Sequence, residues 1–158
     1  MSTHTAQIDW ERHGSAFTDN LYSRAHVWRF DGGIAVAASS SPQVVPVPCS
    51  DAGNVDPEEA YVAALASCHM LWFLGLAAAQ GYVIDRYSDT ATATMAADAH
   101  GRLWVERLVL NPAVVFSGAR VPTEQAVDAL HHAAHESCFL ANSVKTAITV
   151  AGRWERAN

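Results

Sequence analysis

The sequence predicts an α+β domain in which antiparallel strands surround one long, buried central helix, with a second helix beside them. Three observations carry this. Residues 60–79 form an almost unbroken apolar run, short alternating segments lie on either side of it, and apolar residues recur at helical spacing near residue 130. The chain has 158 residues, half of them hydrophobic, which is enough for one domain with a real core and too apolar for disorder. A formal net charge of −6 argues against nucleic acid or an anionic membrane as a partner.

The central helix has local signals at both ends. Asp56 suits the N-cap, Pro57 the first helical position, and Glu59 completes a capping box. Gly81 suits the residue just past the last turn. A helix apolar all round belongs in a membrane or in the middle of a core. Here Ser67, Cys68 and His69 interrupt its midpoint, and its start reads Asp-Pro-Glu-Glu with no flanking Lys or Arg. The expectation is therefore a buried helix in a soluble, cytoplasmic protein, not a membrane span.

The other elements follow in order. Residues 1–20 are polar, lack the apolar stretch of a secretory signal and read as a flexible lead-in; residues 21–158 read as the single folded domain. A strand starts at Tyr22, with Arg24 and Arg29 on opposite faces; Asp31-Gly32-Gly33 turns it into a partner at 34–38. Beyond the helix, 83–95 reads as one strand and 103–110 as its partner, with Asn111-Pro112 kinking a continuation through Phe116. Pro122 opens the second helix, whose stripe is Val127, Leu130, Ala134 and Cys138. Ser143 to Ala151 alternates as a last strand.

Cys49, Cys68 and Cys138 are too few and too oddly spaced for a disulfide framework or a four-cysteine zinc site. Two readings of Cys68 and Cys138 stay open: inert core thiols, or reactive ones. A reactive Cys68 needs a cation, and the candidates are Arg24, Arg29, His69 and Lys145. Glu58, ten residues before Cys68, would lie about 15 Å from it along a continuous helix, so a shared site needs a partner subunit or an arginine relay. Otherwise Glu58 is a carboxylate at the helix start. His131, His135 and Cys138 offer an alternative as one edge of a metal or small-ligand site, while His132 reads as solvated. No phosphate loop, nucleophile elbow or basic-aromatic surface is present.

Several of these segments together resemble the OsmC/Ohr family of peroxide-reducing proteins. They are Tyr22-Ser23-Arg24-Ala25-His26 with its Asp31-Gly32-Gly33 turn, Pro57-Glu58-Glu59 leading to Ala66-Ser67-Cys68-His69, Ala134-His135-Glu136-Ser137-Cys138, and Ala141-Asn142-Ser143-Val144-Lys145. The resemblance implies an OsmC/Ohr-like fold built as an intertwined homodimer with active sites at the subunit interface. It implies a thiol-dependent peroxidase that reduces organic hydroperoxides to alcohols in oxidative stress defence. Cys68 would be the peroxidatic nucleophile, Cys138 the resolving cysteine, Arg24 the thiolate partner and Glu58 the residue that fixes the arginine. No bound cofactor is implied; an external dithiol, of lipoyl type or on a lipoylated protein, would restore the thiols. Leu71, Trp72, Phe73 and Phe139 would favour a peroxide with a hydrocarbon tail. Cys49 stands outside the cysteine pair, and the choice between the Ohr and OsmC branches stays open.

Overall fold

The computed structural model describes residues 1–157. The chain divides into two compact units, residues 1–61 and the remainder from Val62, with the boundary inside the long helix.

The first unit is a three-stranded antiparallel sheet, β1 (Ala6–Asp9), β2 (His26–Phe30) and β3 (Ala35–Ala38), with β2 in the middle. β1 comes from the polar N-terminal stretch, where four residues are too short for alternation to register, and it pairs Ala6 with Phe30 through Asp9 with Val27. β2 begins at His26, not Tyr22: the Arg24 N–H donates to the Cys49 carbonyl at 2.8 Å instead of joining a ladder. The turn to β3 uses Gly33 at φ 86°, a conformation open to glycine at no steric cost.

Helix α1 (Pro57–Ala79) begins and ends as its termini predict. Asp56 Oδ1 accepts from the Glu59 N–H at 2.7 Å, and the Asp56 N–H donates to Glu59 Oε2 at 3.1 Å. At the other end Gly81, at φ 77°, donates to the Ala78 carbonyl and Tyr82 donates to Ala77, which closes a Schellman motif. The single chain does not bury this helix on all sides. Its buried residues are Leu65, His69, Phe73 and Ala77, four apart along one stripe, while Leu71 is 63% exposed. By length and composition alone α1 is also apolar enough to cross a membrane, a test that core helices pass as well.

The second unit holds two further three-stranded sheets. β4 (Val83–Asp89), β7 (Pro112–Ser117) and β9 (Arg153–Arg156) form one; β5 (Thr92–Ala97), β6 (Leu103–Leu110) and β8 (Ala147–Val150) form the other. The stretch expected as one strand at 83–95 is therefore two strands in different sheets. The residues read as a kinked continuation through Phe116 likewise leave the sheet of β6, as β7. The early pairings, β4–β7 and β5–β6, are antiparallel as expected, whereas β8 joins β6 and β9 joins β7 in parallel. The parallel additions follow from the crossover through helix α2 (Glu124–Ser137), since strands joined across a helix return in the same direction. Thr123, not Pro122, caps α2, with its side chain accepting from the Ala126 N–H. The core of this unit gathers Phe73 and Ala77 of α1, Val114 and Phe116 of β7, and Val127, Leu130 and Ala134 of α2.

Candidate active site

Within the unit from Val62, the fold brings the two expected cysteines together. Cys68 lies near the middle of α1 and is half-buried; Cys138 is the C-cap of α2 and is 1% exposed. Separated by 70 residues of chain, the two thiols come close enough for Cys68 to act on the Cys138 thiol. Burial pushes the Cys138 thiol above its ordinary pKa, and the neighbouring Cys68 pushes it the same way. Two backbone donors act in the opposite direction; one is the Ala141 N–H, 3.4 Å from the sulfur. This 3-10 turn at Ala141–Ser143 carries the chain past the cysteine.

Beside the thiols lies a pair that sequence reasoning did not join. His69 Nε2 and His131 Nδ1 are 3.0 Å apart, and the two rings are nearly parallel. Burial drives both rings down to a pKa of about 4, so both are neutral near pH 7. His69 is thus no cation for Cys68; it belongs to the buried stripe of α1 at Leu65, His69, Phe73 and Ala77, and that spacing was visible in the sequence. His131, on the face of α2 that carries Val127 and Ala134, is turned into the core. Its engagement with His69 accounts for the fate of the expected metal edge: among the described residues no three His, Cys, Asp or Glu side chains gather as a metal site. His132 is exposed and pairs with Glu136 at 3.4 Å.

Of the apolar residues expected around the thiols, Phe73 is instead fully buried in the core, where it stacks on the His131 ring. Phe139, next to Cys138, is 71% exposed and meets Trp72 edge-on at 5.4 Å. Leu71 is also open to solvent. Lys145 is exposed.

Within residues 1–61, Arg24 is half-buried. Its guanidinium donates to the Asn20 carbonyl at 2.9 Å, to Asn20 Oδ1 at 2.6 Å and to the Tyr22 carbonyl, and it lies 3.9 Å over the Tyr22 ring. Tyr22 stacks in turn on Phe17 at 4.7 Å, with Trp10 edge-on to Tyr22 at 5.2 Å. Arg24 and Glu58 both line a cavity of about 440 Å³ walled by Ile8, Trp10, Phe17 and Tyr22. They form no ion pair with each other among the described residues. The aromatic wall comes from the stretch read as a lead-in, where three aromatics at irregular spacing carry no periodic signal. Arg29 is exposed and bonds Asp9 at 3.0 Å, which separates it from Arg24. The Cys49 thiol donates to the Leu21 carbonyl at 3.3 Å.

A half-exposed thiol beside a buried one, on two packed helices, defines a class of dithiol proteins able to cycle between a thiol pair and a disulfide. The chain belongs to the OsmC-like protein family, whose pattern matches residues 50–152. It is 52% identical to an OsmC-like protein of unknown function from Vibrio cholerae, with a TM-score of 0.94 over 97% of this chain and all of that one. The fold is shared more distantly with an organic hydroperoxide resistance protein of Elizabethkingia anophelis, at 16% identity and a TM-score of 0.66 over 99% of this chain and 98% of that one. Another, from Bacillus subtilis, is 17% identical with a TM-score of 0.63 over 98% of each chain. No curated protein matches the chain.

Proposed function

We propose that this protein is a thiol-dependent peroxidase that reduces organic hydroperoxides to alcohols through Cys68 and Cys138. The observation that carries this reading is the proximity of the two free thiols, Cys68 and Cys138, in a chain of the OsmC-like family. Cys68 is the nucleophile because it is the more accessible of the pair; Cys138, buried and with a raised pKa, is the resolving thiol. The Cys68 thiolate attacks the distal peroxide oxygen, the O–O bond breaks, and the leaving alkoxide takes a proton to become the alcohol. Cys68 is left as a sulfenic acid. The Cys138 sulfur attacks it, an S–S bond forms and water departs with the Cys138 proton. A small dithiol, of lipoyl type, then exchanges with that disulfide, restores both thiols and is itself oxidised to a disulfide.

Arg24 is assigned as the cation that holds the thiolate and orients the peroxide, with Glu58 as the carboxylate that fixes it. Both line one apolar-walled cavity, which supports an organic tail on the substrate. The protein works as a cytoplasmic homodimer: a second copy covers the apolar α1 residues that one chain leaves open, Leu71 among them.

The test is intact mass after one equivalent of cumene hydroperoxide, followed by peptide mapping without reduction. A loss of two hydrogens with a Cys68–Cys138 linkage, abolished in Cys68→Ser, is expected. Both thiols remaining reduced under excess peroxide would overturn the reading.

A further inference from the structure

We propose that His69 and His131 form a brace that fixes the register of α1 against α2, and so holds Cys68 and Cys138 in position for disulfide formation. In the catalytic cycle this rests on the peroxidase reading; the brace itself is testable without peroxide. His69 follows Cys68 directly on α1, and His131 lies two turns before Cys138 on α2. The His131 ring is gripped by two α1 side chains four residues apart: it bonds His69 at 3.0 Å and stacks on Phe73 at 4.2 Å. His69 is 2% exposed and His131 8%, so water does not compete for the bond.

The other α2 contributions to the core, Val127, Leu130 and Ala134, are apolar. Such contacts are non-directional and tolerate small slides; a buried hydrogen bond between two rings is met in one register only. The proton arrangement follows from the partners. His69 Nδ1 is buried and without one. A bare lone pair there costs less than a stranded N–H, so His69 donates from Nε2 to His131 Nδ1. His131 then carries its own proton on Nε2, beside Gly152, where a Cβ would fall 3.1 Å from that nitrogen and 3.0 Å from Pro112. Glycine at 152 leaves the ring its room.

Register matters because a disulfide tolerates little error between its two Cα positions. A sulfenic acid that does not meet its partner is open to a second peroxide, which adds an oxygen to give the sulfinic acid and releases another alcohol.

The test places the whole protein in glutathione redox buffers, where glutathione disulfide and the two thiols exchange to the protein disulfide and two glutathione thiols. Peptide mapping then gives the effective concentration of Cys68 toward Cys138. Removing both partners together, in His69→Leu/His131→Leu, strands no polar group, and the effective concentration is expected to fall about tenfold or more. His131→Gln, whose amide oxygen accepts from His69 Nε2, is expected to recover more of it than His131→Leu. Under cumene hydroperoxide the double variant should accumulate Cys68 sulfinic acid at doses that leave the parent as disulfide. A folded double variant with the parent's effective concentration overturns the brace; if that variant does not fold, equal values for His131→Gln and His131→Leu overturn it. A parent that forms no Cys68–Cys138 disulfide in glutathione overturns it too. A parent that forms the disulfide but ignores peroxide overturns the peroxidase reading alone, and the glutathione comparison still decides the brace.

Discussion

Residues 1–61 and the unit from Val62 hold different kinds of chemistry. The first presents charge and aromatic surface: Arg24 with three oxygen acceptors, the Trp10–Phe17–Tyr22 cluster and an open cavity. The second is built around a dry core in which even the polar members, His69 and His131, are neutral and bonded to each other. Cys138, set in such a core, gains no activation from it, since burial disfavours its thiolate and raises its pKa. The helical unit is thus suited to placing two sulfurs, and the arginine-bearing unit to supplying charge.

The largest effect is expected from breaking the core. Phe73 is fully buried against Phe116, Tyr87 and His131, so Phe73→Ala should lower stability by about 3–5 kcal/mol in urea unfolding. A loss near zero would mean that α1 is not anchored there. Acid should come next. The folded pKa of each buried ring is depressed from 6.5 to about 4, so the unfolded chain binds more protons between those values. Stability is therefore full above about pH 6.5 and falls as the pH drops toward 4. The neighbouring charges, His135 beside His69 and Asp128 beside His131, modulate this without reversing it. Thermal unfolding across that window should show the decline, and His69→Leu/His131→Leu should flatten it.

The charged unit is probed by its two arginines. Arg24→Met should lower kcat/KM for cumene hydroperoxide about a hundredfold, as loss of a preorganised charge does. Arg29→Met should leave it within about twofold, because its partner is the surface carboxylate of Asp9. Equal losses would remove the distinction between them. The smallest effect belongs to the helix start, where Asp56→Ala removes one side of the capping box and should cost about 1 kcal/mol, with activity retained once folded.

How much of this was legible depends on how local each cause is. The capping box at Asp56 and the Gly81 terminus were readable because both are made by residues within one turn of each other. The break at Thr90-Ala91 between β4 and β5 was not, since no glycine or proline marks it and the two strands diverge only because different sheets claim them. Asn111-Pro112 was seen as a disturbance, but whether it kinks a strand or moves it to another sheet is settled by pairing partners far along the chain. β9 was missed for its length and polarity, its four residues being paired in place by β7.

The sequence by itself determined the two helices, the first hairpin turn, and the cysteine motifs whose family resemblance named Cys68 and Cys138. Periodicity, caps and motif residues are properties of neighbours along a chain. Only the tertiary structure decided that His69 meets His131 across 62 residues, that Phe73 belongs to the core and not to an open apolar surface, and that Arg24 is separated from Arg29 by its partners. Those outcomes turn on which faces α1, α2 and the strands present to one another. No local signal carries them, because burial and hydrogen bonding at long range are settled by the whole packed unit at once.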